Sequence, residues 1–329
     1  MKVVYFHRKP WPGRNFSIES QFNYLRMNLP PDIRPKVKVM RYFSKGILPR
    51  IFILFEAAFN QGDVNHITGD INFIALLLRK KRTVLTIHDL GFLSHPNRFS
   101  KIILKFLWLK LPVWRSEIIT AVSERTKSEL LKHITIDPSK VHVIHVPLSS
   151  HFTSVPKIFN KVEPVILQIG TKYNKNINRL LLALNGLSCR LELIGQPDEK
   201  LLNQLESSGV KYKISLNLSD EEIRNKYIEA DIVSFVSTNE GFGMPIVEAN
   251  AVGRVVVTSN ISSMPEVAGN AAHLVDPFDI ESIRNGIKRI IDDDSYREEL
   301  INNGYKNCSR FHIAGIAEQY VQIYHALKR

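Results

Sequence analysis

Apolar and polar positions alternate along the 329-residue chain in two periods. Short apolar runs of strand length are separated by longer stretches where apolar residues recur every three or four positions, as on one face of a helix. In the first half the runs "KVVYF", "KVKVMRY", "DVNHIT", "RTVLTIH", "EIITAVS" and "KVHVIHV" read as buried or half-buried strands. "SIESQFNYLRMNL", "INFIALLLRK" and "ERTKSELLKHI" read as helices between them. In the second half "PVILQIG", "CRLELIG", "GVKYKI", "DIVSFVS" and "RVVVTSN" are strands. "LSDEEIRNKYIEA" is a helix whose Ser219 and Glu222 have capping-box spacing. Strands alternating with helices predict parallel sheets covered on both faces. A largely polar segment with three prolines, residues 145–164, separates the two series. The fold class is therefore α/β, with two doubly wound, Rossmann-like domains facing each other across a cleft. Ligands of such sheets sit at the carboxyl ends of the strands.

Composition narrows this picture. At 44% hydrophobic the chain buries full cores. The two cysteines, Cys189 and Cys308, are far apart and form no metal-type motif, which points to a reducing compartment. The first residues carry no visible signal-peptide pattern. The apolar runs "ILPRIFILFEAAF" and "KIILKFLWLKLPVW" are too short and too interrupted to span a bilayer. Charge is uneven. Residues 1–150 hold 24 Lys and Arg against 10 Asp and Glu, a net of +14, whereas residues 151–329 hold 20 against 22, a net of −2. A basic half favours an anionic partner. No recognised nucleic-acid motif accompanies it, and the cations are not interleaved with a stacking platform, so nucleic acid is not expected.

The most informative stretch is "TNEGFGMPIVEANAVG", Thr238 to Gly253. Glu240 lies just past the strand "DIVSFVS". Gly241 and Gly243 make a turn, Pro245 suits the start of a helix, and Glu248 falls one turn inside it. Such a loop offers backbone N–H groups and the positive end of a helix to an anion. Two carboxylates beside it would repel phosphate alone. A nucleotide sugar reconciles the two features, its diphosphate taking the donors and its sugar and ribose hydroxyls taking the glutamates.

Glu240-Gly-Phe-Gly-Met-Pro-Ile-Val-Glu248 resembles the E-x7-E motif of the retaining family 4 (group 1) glycosyltransferases of the GT-B fold, in their bacterial polysaccharide type. "SNISSMPEVAGNAAHLVDP", "ILQIGTKYNKNINRLLLAL", "TIHDL" and "ITAVSERTKSEL" extend the resemblance over residues 85–329. It implies that His88 and Glu240 act at the donor sugar and that Glu248 holds the ribose. It implies that Gly241, Phe242, Gly243 and Met244 line the sugar and phosphates. Lys175 would neutralise the diphosphate, with Gly170, Thr171 and Lys172 beside it; Lys172 would stand in for an arginine that many relatives carry. Gly13 and Arg14, in "PWPGR", are acceptor-side or phosphate-side candidates. Asn176 is a possible helix cap. Arg254 replaces a proline common in the family.

The resemblance implies a retaining transfer without metal or other cofactor, from a GDP- or UDP-linked sugar. Residues 1–153 would bind the acceptor and 154–310 the nucleotide sugar. Residues 311–329 would form a terminal helix that could pack back toward the first domain. The basic half and the segment "FSKIILKFLWLKLPVW", together with "RKKR" at Arg79–Arg82, suggest an anionic membrane surface as partner. The expected protein is cytoplasmic, peripheral on the inner face of the cytoplasmic membrane, and acts on a lipid-linked or other glycan acceptor in cell-surface polysaccharide synthesis. A nucleotide-sugar epimerase or hydrolase of the same fold, and a catalytically silent donor-binding subunit, are the alternatives.

Overall fold

A computed structural model describes residues 1–10, 17–94 and 102–328. The chain divides into two compact units, Met1–Pro147 with Ile313–Arg329, and Leu148–His312. Each unit is built on one parallel six-stranded sheet among the described residues.

The first sheet contains β1 (Lys2–His7), β2 (Arg34–Val39), β3 (Val64–Ile67), β4 (Thr83–Ile87), β5 (Ile118–Ala121) and β6 (Val141–Val143), in the order β2-β1-β3-β4-β5-β6. β3 and β4 are buried along their whole length, which is why they read as apolar runs rather than as alternations. β2 differs from expectation. It lies on the sheet edge and is largely exposed, with Lys36 facing water and Lys38 paired to Glu56. The stretch expected as the helix "INFIALLLRK" forms a short 3-10 turn, Asn72–Leu77, whose first four residues are buried. An apolar run this short does not distinguish the two helix types.

The terminal helix Ile313–Lys328 belongs to this first unit. Ile313, Ile316, Ala317, Tyr320, Ile323, Tyr324 and Leu327 give it one buried face, packed with Val3, Tyr5, Phe22 and Val84. A polar chain threads this core. Tyr324 Oη is 2.9 Å from Tyr5 Oη and 2.7 Å from His66 Nδ1, His66 Nε2 is 2.7 Å from Thr86 Oγ1, and Thr86 is 2.7 Å from Thr120. Every member of this chain has a partner, which makes it tolerable at this depth. It also fixes β4 two residues before His88.

The second sheet contains β7 (Val165–Ile169), β8 (Arg190–Ile194), β9 (Lys211–Ser215), β10 (Ile232–Phe235), β11 (Val255–Ser259) and β12 (His273–Val275), in the order β12-β11-β10-β7-β8-β9. The three-residue β12 was not expected, being too short to show a pattern. The capping box of Ser219 and Glu222 forms as the sequence predicts. Strand order reverses between β7 and β10, so the loops after these two strands flank a switch point where such sheets bind ligands.

Candidate functional site

The loops after β7 and β10 bring the predicted donor residues of the second unit together. Glu240 accepts from Lys175 Nζ at 2.7 Å and from Asn174 Nδ2 at 2.9 Å on the same oxygen, Oε1. Both side chains of the ion pair are mostly buried. Lys175 also lies 4.6 Å from the centre of the Phe235 ring. Gly170 makes room for it. Its φ is +86°, and a Cβ there would meet Lys175 Cε at 2.9 Å. Thr171 is turned away and donates to the Gln196 carbonyl at 2.6 Å. Lys172 is exposed.

The Glu240 loop is tied from below by two serines. Ser262 Oγ accepts from Glu240 N at 3.1 Å and lies 2.8 Å from the Glu240 carbonyl. Ser263 Oγ reaches the carbonyls of Glu240 at 3.0 Å and Phe242 at 2.5 Å. Phe242 is buried edge-on against Phe311. Gly243, at φ +123°, turns the chain into the helix Met244–Val252, with Pro245 in its first turn. Pro245 has no N–H to leave unpaired, and Ile246 N donates to the Gly243 carbonyl at 3.0 Å.

Glu248 sits inside that helix and accepts a 2.5 Å hydrogen bond from Tyr227 Oη. Burial pushes its carboxyl up to about 7, with the Tyr227 bond acting in the opposite direction. Glu240 and Glu248 are thus in different surroundings. One is paired with a lysine, and the other is desolvated beside a phenol.

His88 follows β4 in the first unit. Its Nε2 is 2.7 Å from the Thr68 carbonyl, which can only accept, so the neutral ring carries its proton on Nε2 and presents Nδ1 as acceptor. Burial lowers its pKa. Phe22 stands edge-on to the ring, and Gly69 lets Cδ2 approach closely, a Cβ there being 3.0 Å from it. His88 lines a cavity of about 360 Å³ with Arg8, Lys9, Arg50, Asp70 and Trp108 among its walls. Arg8 is neutralised by Glu19 and Asp70. Arg50 is not. Among the described residues its guanidinium stacks 4.4 Å above Trp108, bonds only the Ser44 carbonyl, and keeps a buried Nε without a partner. Burial lowers its pKa, and no carboxylate offsets that among the described residues. Gly13 and Arg14 lie outside the described residues.

Comparison with known proteins identifies the family. The model described as Glycosyl transferases group 1 matches residues 152–307, and that described as Glycosyltransferase Family 4 matches 11–149. The chain is 28% identical over 275 residues to "O-antigen chain mannosyltransferase B" of Escherichia coli, covering 76% of this chain and 71% of that one. It is 30% identical over 223 residues to "MMP alpha-(1->4)-mannosyltransferase" of Mycolicibacterium hassiacum, covering 63% of this chain and 53% of that one. Among solved structures, that of Anabaena Alr3699/HepE in complex with UDP and glucose superposes with a TM-score of 0.78 at 14% identity, covering 99% of this chain and 100% of that one. The chain belongs to the group 1 glycosyltransferases. It has their GT-B fold.

Asn174, in this glycosyltransferase's candidate site, escaped the sequence reading. Asn174 bridges the two loops, donating to Glu240 and to the Asn239 carbonyl at 2.9 Å, while its own carbonyl accepts from Thr238 N at 2.8 Å. Asn176 starts the helix Ile177–Leu184 in a left-handed conformation but does not cap it with its side chain, contrary to expectation. The amide instead donates to the carbonyls of Val236 at 3.0 Å and Pro277 at 2.6 Å, locking the β7 loop to the end of β10. Arg254 is explained by its acceptors. Buried, it donates to the carbonyls of Tyr227, Ile228, Val155, Val252 and Gly253 at 3.0–3.2 Å. It binds together the ends of two helices, where carbonyls lack partners, and the segment entering the unit.

Proposed function

We propose that this chain is a retaining hexosyltransferase that uses a nucleoside diphosphate sugar. The observation that carries the reading is the Lys175–Glu240 pair at the switch point, inside the segment matched by the group 1 family. The lysine answers the glutamate at 2.7 Å. An arriving diphosphate recruits Lys175 and the N–H groups at the start of the Met244–Val252 helix. Glu240 is thereby released to accept from hydroxyls of the sugar. Glu248 takes the ribose hydroxyls, and His88 serves the reacting sugar. Mannose is the first candidate, because the curated relatives named above are mannosyltransferases.

In the reaction, the acceptor hydroxyl oxygen bonds to the anomeric carbon as the bond from that carbon to the diphosphate oxygen breaks. The hydroxyl proton passes to the departing phosphate. Both events take place on one face of the sugar, which gives retention. The charge on the leaving group is met by Lys175 and backbone donors rather than by a metal ion. The acceptor belongs to the cavity beside His88, where unpaired Arg50 suits the phosphate of a lipid-linked glycan. We place the enzyme in cell-surface polysaccharide synthesis, at an anionic membrane face. Incubation with GDP-mannose, UDP-glucose and related donors, with a polyprenyl-diphosphate-linked glycan, tests this. An α-linked product from an α-linked donor, identified by NMR, is expected. An inverted linkage, or release of free sugar with no transfer to any acceptor, would overturn it.

A further inference from the structure

We propose that the outer face of the helix Ile47–Ala58 is the surface by which this glycosyltransferase lies on an anionic lipid bilayer. The proposal rests on the membrane-side reading above and names the element responsible. Ile47, Leu48, Ile51, Phe52, Phe55 and the capping Phe59 are 42–86% exposed. At 100° per residue they fall within an arc of about 140°. The opposite face carries Ile53 and Ala57, fully buried. Tyr42 extends the apolar surface, its ring 5.6 Å from that of Phe52. Isolated exposed apolar residues need no explanation, but a whole helical face of large ones does.

Charge says what covers it. The chain running into this helix carries Arg34, Lys36, Lys38, Arg41, Lys45 and Arg50 with no carboxylate between them. Lys38 is paired to Glu56; Arg34, Lys36, Arg41 and Lys45 are exposed. A second copy of the chain would bring two such basic rims together, which disfavours self-association. An apolar helical face bordered by cations is the arrangement of an interfacial helix on anionic lipid. Position agrees. The helix begins beyond the carboxyl end of β2, and its Arg50 lines the cavity beside His88. A lipid-borne acceptor would thus be presented at the edge of the sheet where chemistry is expected.

The two segments the sequence suggested for this role fit it less well. Arg79–Arg82 leads into the amino end of β4, away from His88. In residues 102–114, Leu109, Pro112 and Val113 are buried and Trp108 packs on Phe73, while Ile102, Ile103, Phe106 and Trp114 are exposed, so the segment is divided between core and surface. Lys101 lies outside the described residues.

Co-sedimentation of the full chain with phosphatidylglycerol-containing and pure phosphatidylcholine vesicles tests the assignment, comparing wild type with a Phe52→Asp, Phe55→Asp variant. Both positions are exposed, so folding is not at stake; melting temperature and nucleotide binding confirm it. Wild type should bind the anionic vesicles at low salt, and the variant should lose at least tenfold in affinity with nucleotide binding unchanged. A Phe55→Trp variant should show blue-shifted emission on anionic vesicles. Equal binding by wild type and the double variant overturns the helix assignment and leaves the membrane reading standing. Absence of wild-type binding to either vesicle overturns both. A dimer of wild type that the double variant abolishes would make the face a self-interface and overturn the proposal.

Discussion

Lys175 Nζ lies 2.7 Å from Glu240 Oε1, joining two residues 65 positions apart. Each was singled out for a different part of the donor, so their pairing makes them one switchable unit. The diphosphate must compete with Glu240 for the lysine. Lys175→Ala should therefore raise the donor KM and also lower kcat, leaving Glu240 unpaired in a mostly buried position. Glu240→Gln should lower kcat on the order of a hundredfold with a smaller effect on donor binding, because its sugar contacts matter most in the transition state. A double-mutant cycle read by kcat/KM should show coupling of about 1–3 kcal/mol. Strictly additive effects would separate the two roles.

Arg254 tests how the site is supported. Arg254→Met removes the guanidinium donor from five carbonyls, of which, among the described residues, only that of Val252 keeps a second donor, Val155 N, at a cost of about 2–4 kcal/mol. Calorimetry should show a lower melting transition. Arg254→Lys should recover only part of the loss, since one ammonium lacks the fork that reaches carbonyls on several segments. The donor KM should rise in both, because the Tyr227 carbonyl is one of those carbonyls and Tyr227 carries the bond to Glu248. An unchanged melting profile in Arg254→Met would remove this role.

Much of the fold was legible because parallel strands buried on both faces stand out as apolar runs between helical periods. Glu240, the glycine turn and the helix start were legible because a strand end, two glycines and a proline each restrict the backbone locally. What was hidden depends on contacts distant in sequence. Asn174 and Asn176 look like loop amides until β10 is placed beside β7. Tyr227 reads as one apolar position of a helix, and only the neighbouring helix reveals its phenol on Glu248. Arg254 in an apolar strand start has no local explanation, since its acceptors come from three segments. The outer face of Ile47–Ala58 was hidden for another reason. An apolar run says how much of a helix is hydrophobic, and the tertiary structure decides which side remains uncovered.

Activity should survive chelation. If Lys175 and backbone N–H groups meet the charge on the leaving diphosphate, EDTA treatment followed by assay in chelated buffer should leave the rate within about twofold, because nothing removed touches the transition state. Loss of activity restored by Mg²⁺ or Mn²⁺ would give that charge to a metal and overturn the assignment to Lys175.

Glu248 gives a prediction in pH. Burial holds its carboxyl near 7, above the usual carboxylate range. Below the ordinary value of about 4.3 the group is protonated whether the chain is folded or not, and its burial is harmless. As pH rises from there through about 7, the unfolded chain ionises first, so the folded state loses stability relative to it. The loss is complete above the folded value and amounts to at most about 4 kcal/mol. Glu248→Gln has no proton to lose. Its melting temperature should exceed that of wild type at pH 8 and converge with it near pH 5. The same variant should bind the donor more weakly, on the order of tenfold, if the carboxylate receives the ribose hydroxyls. Wild-type donor KM should therefore fall between pH 6 and pH 8 as the carboxylate forms, while that of Glu248→Gln stays flat. Tyr227→Phe removes the phenol that favours the ionised form, so the midpoint of the wild-type profile should move upward. A donor KM independent of pH in wild type, or a Glu248→Gln protein no more stable at pH 8, would show that this carboxyl is neither desolvated nor in contact with the donor.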